Sequence, residues 1–315
     1  MACFLALDSG GTKTEAVLFD ENGHMLYRGI TPGANAMDIG YDECCRRVEH
    51  AIALATHDGA MPLASLYAGI AGTQPAGPVL ETYLRAHVRS DSLRVEDDGP
   101  AMISSMLGHQ DGCCVVCGTG SSLFARIEGR PELIHIGGCG YLIDTGGSGF
   151  ELGRDVLKAV FRADDGRGPE TLLLGLFKQK YPQGPRKSMM AIYSGGRPYI
   201  AKFSAMAFEA VQEGDEVARA IIAHGVESLA ELVWAASRYF PGTFSVVLGG
   251  GVFAHHPSYA KAVAEKAPGK ARMLIADVPP VYGAAREALF DAGVSESPSF
   301  REQFLAEYGL WCSRE

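Results

Sequence analysis

The chain lacks most of the features that would send a protein into a membrane, out of a cell or onto nucleic acid. No run of about 18 apolar residues is present to cross a bilayer. The opening "MACFLALDSGG" has neither a basic segment nor a long apolar stretch behind it, so no secretory leader is expected. Cationic excess is missing too: 28 Lys and Arg face 37 Asp and Glu, a net charge of -9. That balance argues against nonspecific nucleic-acid binding. Cysteine is not scarce, at eight residues, but a second C-x-x-C is absent. The thiols of "CCVVC" (Cys113, Cys114, Cys117) alternate between faces of one strand and cannot complete a thiolate metal site by themselves. In a chain of this size without a leader, they read as reduced thiols of a cytoplasmic protein. No linker or low-complexity segment interrupts the sequence.

What remains is a chain of 315 residues, 47% hydrophobic, with 39 glycines. Single cores stop growing near about 250–300 residues, so the length allows one large or two medium domains. The glycines are concentrated where they carry information. "DSGGTKT", Asp8 to Thr14, follows the apolar run "CFLAL" and opens into "TEAVLFD", with Glu21-Asn22-Gly23 as a turn signal. A P-loop needs G-x-x-x-x-G-K-[ST] leading into a helix. Here the glycines join two strands, so the loop belongs to a β-hairpin. Without a Cβ, Gly10 and Gly11 still allow backbone amides to approach an anion closely. Thr12 adds a hydroxyl, and Asp8 at the strand end suits a hydrated magnesium ion, which prefers carboxylate and water ligands. An ordinary Gly-Gly hairpin turn is the alternative reading of the stretch.

The same design recurs. "CCVVCGTGSSLFARIEG" is again strand, glycine-and-hydroxyl loop, strand, as a domain duplication would produce. "FSVVLGGGVFAHHPSYAKAVAEKA" places three glycines between a strand and an amphipathic helix, where bare backbone lets a flat ring or sugar lie close. A tight strand-to-helix connection would use such glycines as well. "YDECCRRVEHAIALATHDG" has helical spacing with Gly59 as its stop, and "SLRVEDDGPAMISSML" is a strand running into a helix. The pattern as a whole predicts an α/β architecture of two domains with a central cleft between them.

These stretches resemble, in order from residue 8 to about 289, the BadF/BadG/BcrA/BcrD ATPase family, and within it the N-acetylglucosamine kinases of the actin-like ATPase and sugar kinase superfamily. The matching segments include "DSGGTKTEAVLFDENG", "PGANAMDIG", "EDDGPA", "CGTGSSLFA", "GGCGYLIDTGGSGFELGRDVL", "VVLGGGVF" and "PPVYGAAREAL". The resemblance implies two actin-like (ribonuclease H-like) domains, residues 1–111 and 112–315, with the last helix packing back on the first. It implies Asp8, Gly10, Gly11 and Thr12 as the first phosphate motif and Gly118, Thr119, Gly120 and Ser121 as the second, with magnesium held by Asp8 through water. Gly249, Gly250 and Gly251 match the adenosine motif. Asn35, Ser121, Ser122, Gly138, Cys139, Gly140 and Thr145 fall on sugar-contact positions. Relatives often carry tryptophan at Cys139, and many read Asp-Glu-Gly-Ser where this chain has Thr145-Gly146-Gly147-Ser148, with Asp144 one place earlier. Both departures bear on sugar specificity.

The resemblance also implies ATP and a small sugar as partners, a family tendency to homodimers, and Asp98 as general base toward the acceptor hydroxyl, touching the sugar as well. Base catalysis of this kind typically contributes about 10²–10⁴-fold. Asp98 stands just before Gly99-Pro100, where an aspartate also serves as a helix N-cap worth roughly 1 kcal/mol. Asp97 is the alternative base, since neighbours on a strand face opposite ways. The implied reaction is phosphorylation of an amino sugar, N-acetylglucosamine to its 6-phosphate. Glucosamine, N-acetylmuramic acid and glucose are the alternative acceptors. Activators of 2-hydroxyacyl-CoA dehydratases and benzoyl-CoA reductases share the fold, but their cluster needs cysteines exposed at helix ends near a dimer interface. Lys13 and the pair His255-His256 are left outside the site.

Overall fold

The computed structural model describes residues 2–57, 61–73, 77–130, 132–144 and 146–313. In chain order its strands and helices begin with β1 (Cys3–Ser9), β2 (Lys13–Asp20), β3 (Met25–Pro32), α1 (Ala36–Ile39) and α2 (Tyr41–Thr56). Next come β4 (Leu63–Ile70), α3 (Gly77–His87), β5 (Ser90–Glu96), α4 (Asp98–Leu107), β6 (Gly112–Cys117), β7 (Ser121–Arg126) and β8 (Ile134–Ile136). A helical stretch follows: α5 (Gly149–Asp164), α6 (Leu172–Lys180), α7 (Pro185–Ala201), α8 (Ser204–Gln212) and α9 (Glu216–Ser237). The chain closes with β9 (Phe244–Gly249), α10 (Gly251–His255), α11 (Pro257–Lys266), β10 (Ala271–Ile275), α12 (Pro280–Asp291) and α13 (Phe300–Cys312). No described helix is long and apolar enough to cross a membrane.

Two compact units result. The first holds Met1–Gly112, Arg126–Leu133 and Ala276–Glu315; the second holds Cys113–Ala125 and Ile134–Ile275. Each is built on one five-stranded sheet, in the orders β3-β2-β1-β4-β5 and β10-β9-β6-β7-β8.

In the first unit both faces of the sheet are covered, which explains why "CFLAL" reads as a continuous apolar run. Leu5 and Leu7 of β1 join a core with α2 residues such as Val48 and Ile52. Phe4 and Ala6 face the other way, into a core with Val281 and Leu289 of α12 and Phe300 and Phe304 of α13. Phe19 meets Phe4 at 5.6 Å between ring centroids and Phe304 edge-on at 5.8 Å. Each such fully buried ring contributes about 1.5–3 kcal/mol. The last helix is thereby anchored to the first hairpin. Helix α2 stops at Thr56, with His57 left-handed at φ 49. The predicted stop, Gly59, lies outside the described residues.

In the second unit β6 is sealed by burial of Cys113, Cys114 and Cys117. Helices α5 to α9 form a helical core around Val156, Val160, Leu173, Phe177, Phe203 and Ala207. The single amphipathic helix expected after the glycine triplet is instead two, α10 and α11. Pro257 explains the break, because a proline disfavours helical geometry in the residue before it, and His256 sits at φ -130, ψ 72.

Candidate functional site

In the first unit the candidate residues gather at one end of the sheet. β1 and β4 run parallel with Asp8 opposite Gly69, and β4 and β5 run parallel with Gly69 opposite Glu96. Asp8 therefore marks the carboxyl ends of parallel strands, where α/β sheets bind ligands. The antiparallel hairpin β1–β2 puts Glu15 opposite Asp8. Between them the Gly10-Gly11-Thr12 turn is closed by the Gly10 amide donating to the Lys13 carbonyl at 2.9 Å. Lys13 does not point away alone: its ammonium pairs with Glu15 at 2.7 Å.

The segment carrying Asn35 is tied to this loop. Gly33 donates to the Thr12 carbonyl at 3.1 Å, and a Cβ on Gly33 would fall 2.4 Å from the Gly11 backbone. The Ser9 hydroxyl accepts from the Ala34 amide at 3.2 Å and meets the Thr14 hydroxyl at 2.7 Å. Asn35 caps the short α1, its side-chain oxygen accepting from the Met37 amide at 2.9 Å. Gly72, at φ 75, passes so close that a Cβ there would lie 2.6 Å from the same Asn35 oxygen. The asparagine is held by backbone on two sides.

The aspartate pair after β5 divides its roles. Asp97, not Asp98, is the N-cap of α4; its carboxylate accepts from the Asp98 amide at 2.9 Å. Asp98 is the first helical residue, so the cap reading of that side chain is corrected. Burial first, then the charge and hydrogen bond of Asp97, then Asp8, hold the Asp98 carboxyl well above the usual carboxylate range. Asp8 is pushed up to about 7 by burial and by Glu15, with Lys13 pulling the other way. Asp8, Asp97 and Asp98 thus form one electrostatically linked acidic group.

The second unit carries its own loop. The Gly118 amide donates to the Gly120 carbonyl at 2.8 Å, closing the turn. The amides of Gly149 and Phe150 donate to the carbonyls of Gly118 and Thr119 at 2.9 and 3.1 Å, which seats the loop on the start of α5. Gly249 of β9 lies beside Val116 of β6. Gly250, at φ 103, packs on that neighbour so tightly that a Cβ would meet the Cys117 backbone at 2.5 Å. Gly251 opens α10 with nothing within 4 Å of where a Cβ would stand. The loop and the adenosine-motif glycines are brought together. His256, set aside on sequence grounds, stacks on Phe208 at 3.6 Å, while His255 is exposed.

Ser121 donates to the Gly146 carbonyl at 2.8 Å, and a Cβ on Gly138, at φ 70, would lie 2.8 Å from the Ser122 Cβ. Ser121 is thus tied to the Gly146 stretch, and Ser122 lies beside Gly138. Cys139 is exposed, and its amide donates to the Asp144 carboxylate at 3.3 Å. Asp144 so fixes the turn from within the chain. Gly140 adopts φ 92. Thr145 lies outside the described residues. Two supports went unread in the sequence: the capping box in which Ser148 and Glu151 close the start of α5, and Arg197, whose guanidinium borders Gly120. "SGFE" fits the S-x-x-E signature and was available as a signal.

Two five-stranded mixed sheets, each presenting a glycine loop at a strand end, define an α/β protein of the actin-like ATPase and sugar kinase fold. A candidate N-acetylglucosamine kinase of Porphyromonas gingivalis superposes with a TM-score of 0.73 at 22% identity, covering 93% of this chain and 100% of that one. Residues 5–288 match the BadF/BadG/BcrA/BcrD ATPase family, and the chain belongs to it. The N-acetyl-D-glucosamine kinase of Dictyostelium discoideum is 27% identical over 73% of this chain and 77% of its own. The N-acetylmuramic acid/N-acetylglucosamine kinase of Clostridium acetobutylicum is 24% identical over the same shares.

Proposed function

We propose that this protein is an ATP-dependent amino-sugar kinase that phosphorylates N-acetylglucosamine on its 6-hydroxyl, with Asp98 as general base. The observation that carries the reading is the division of labour at the start of α4. Asp97 satisfies the helix terminus, and Asp98 is left with a carboxyl that burial and its acidic neighbours raise above the usual carboxylate range, the direction that makes a carboxylate a stronger base. The activities for which the relatives are named support an amino sugar as acceptor.

Asp8 suits a magnesium ion. Its carboxyl is half-buried and raised, and it in turn raises Asp98, a repulsion that a cation relieves. Among the described residues no three His, Cys, Asp or Glu side chains assemble into a metal cage. Magnesium needs none, since it keeps several waters and uses one or two carboxylates with the phosphates. When bound, it would neutralise charge on the phosphate oxygens.

The chain's own residues then divide the work, because phosphoryl transfer asks mainly for positioning and charge stabilisation. Gly10, Gly11 and Thr12 bind phosphate through backbone and hydroxyl donors, as do Gly118, Thr119 and Gly120. Gly249 to Gly251 receive the adenosine. Asn35, Ser121, Ser122, Gly138, Cys139, Gly140 and Thr145 orient the sugar, whose hydroxyl gives its proton to the Asp98 carboxylate as the new phosphorus–oxygen bond forms. Asn35 is suited to this because a backbone contact already fixes it. ADP release measured across N-acetylglucosamine, glucosamine, N-acetylmuramic acid and glucose tests the proposal, and equal release with no sugar at all would sink it.

A further inference from the structure

The second glycine loop has a charge problem. "CGTGSSLFA" contains no lysine or arginine, yet a phosphate-binding turn without a cation relies on backbone dipoles alone. The structure supplies a cation from elsewhere in the same unit. The helical course of α7 breaks at Gly196, which adopts φ 63 and ψ -163, and Pro198 follows two residues on. Between them stands Arg197. A Cβ built on Gly120 would lie 3.3 Å from its Nη2, so the guanidinium lies directly beside the loop backbone.

Aromatic rings hold it there. The Arg197 guanidinium carbon is 5.0 Å from the Tyr141 ring centroid and 5.9 Å from that of Phe150. Tyr141 and Phe150 in turn meet edge-on at 5.2 Å. Cation–π contacts of this kind orient an arginine's planar guanidinium. The anchors matter by position as well: Tyr141 follows the Gly138-Cys139-Gly140 turn, and Phe150 donates its amide to Thr119 of the loop. One guanidinium is thus fixed by the assigned acceptor turn and by the assigned phosphate loop together.

We propose that Arg197 is a phosphate-binding residue of this protein, its guanidinium fork meeting oxygens of the nucleotide's terminal phosphates beside Gly120. The assignment rests on the kinase reading above. A planar fork with two donors matches phosphate geometry in a way that a lysine ammonium does not. Arg197 supplies the charge that the loop sequence omits.

The test is direct binding of ATP, ADP and adenosine to wild type, Arg197→Met and Arg197→Lys, measured by calorimetry without any sugar. Arg197→Met should weaken ATP about 10- to 100-fold and leave adenosine unchanged. Arg197→Lys should recover only part of the loss. Adenosine binding reports that the unit is folded, so equal weakening of ATP and adenosine would make Arg197 structural and overturn the assignment. ATP affinity unchanged in Arg197→Met would overturn it as well. Wild-type protein that ignores ATP altogether would overturn the kinase reading with it.

Discussion

Asp97 accepts a hydrogen bond from the backbone amide of Asp98 at 2.9 Å. Adjacent residues of identical chemistry are thereby set to different tasks: one closes a helix, the other keeps a raised carboxyl. The raised value has a sign that can be followed. A general base works deprotonated, so turnover should fall as pH drops through a value above the usual carboxylate range. Asp97→Asn removes the neighbouring charge that helps raise Asp98, and its acid limb should move to lower pH. Rate profiles of the two proteins check this; coincident limbs would separate Asp98 from the proton transfer.

The cap itself is a stability device. Asp97→Ala leaves the Asp98 amide at the start of α4 without its acceptor, a loss of about 1 kcal/mol. Thermal unfolding should shift down by about 2–4 °C. Asp97→Asn, which retains a cap oxygen, should lie close to wild type.

Glu287 anchors α12 within the first unit. It is buried, accepts from Ser104, and pairs with Arg94 and with Arg126. Burial alone would raise its carboxyl, but the Ser104 bond and the two arginines outweigh that and hold it below the usual range. A depressed folded-state value means stability that is present above the unfolded value and lost as pH falls through the folded one. Glu287→Gln should therefore cost about 3–5 kcal/mol at neutral pH. In denaturant titrations the gap from wild type should narrow below the ordinary glutamate range; a gap independent of pH would contradict the assignment.

Gly250 occupies a conformation that other residues adopt only with strain. At φ 103, Gly250→Ala costs roughly 1–2 kcal/mol in backbone strain, and its methyl would also overlap the Cys117 backbone. Both unfolding temperature and adenosine affinity should drop. Gly251→Ala, with open space at its Cβ, should leave stability near wild type.

Thiol reactivity maps the proposed sugar turn. Cys139 and Cys312 are exposed and the other six cysteines are buried, with burial pushing Cys113 up to about 12. Since the thiolate is the reactive form, an aromatic disulfide reagent should label Cys139 and Cys312 first. Saturating sugar should slow Cys139 and spare Cys312. Equal rates with and without sugar would remove the turn from the acceptor site.

Much of this was legible in the sequence because the informative residues are local. Gly10-Gly11 and Gly118 to Gly120 announce turns between strands, Gly249 to Gly251 a turn from strand to helix, and the unbroken apolar run "CFLAL" serves a sheet covered on both faces. Boundaries and long-range partners were not. The break at His256 depends on one proline. Which aspartate caps α4 turns on where β5 ends, a single-residue matter that periodicity does not resolve. Arg197 stands far from Gly120 in sequence, and the kink at Gly196 that delivers it looks like an ordinary helix interruption. Pairings such as Arg94 with Glu287 share this property.

The role proposed for Asp98 is to take a proton from a sugar hydroxyl during ATP-dependent phosphorylation. ADP release from Mg-ATP, with N-acetylglucosamine and with no sugar, measured for wild type and Asp98→Asn, reaches that step most directly. Expected are sugar-dependent release in wild type, a loss of about 10²–10⁴-fold in the variant, and ATP binding intact in both. Sugar-dependent release that survives Asp98→Asn at full rate would contradict the assignment.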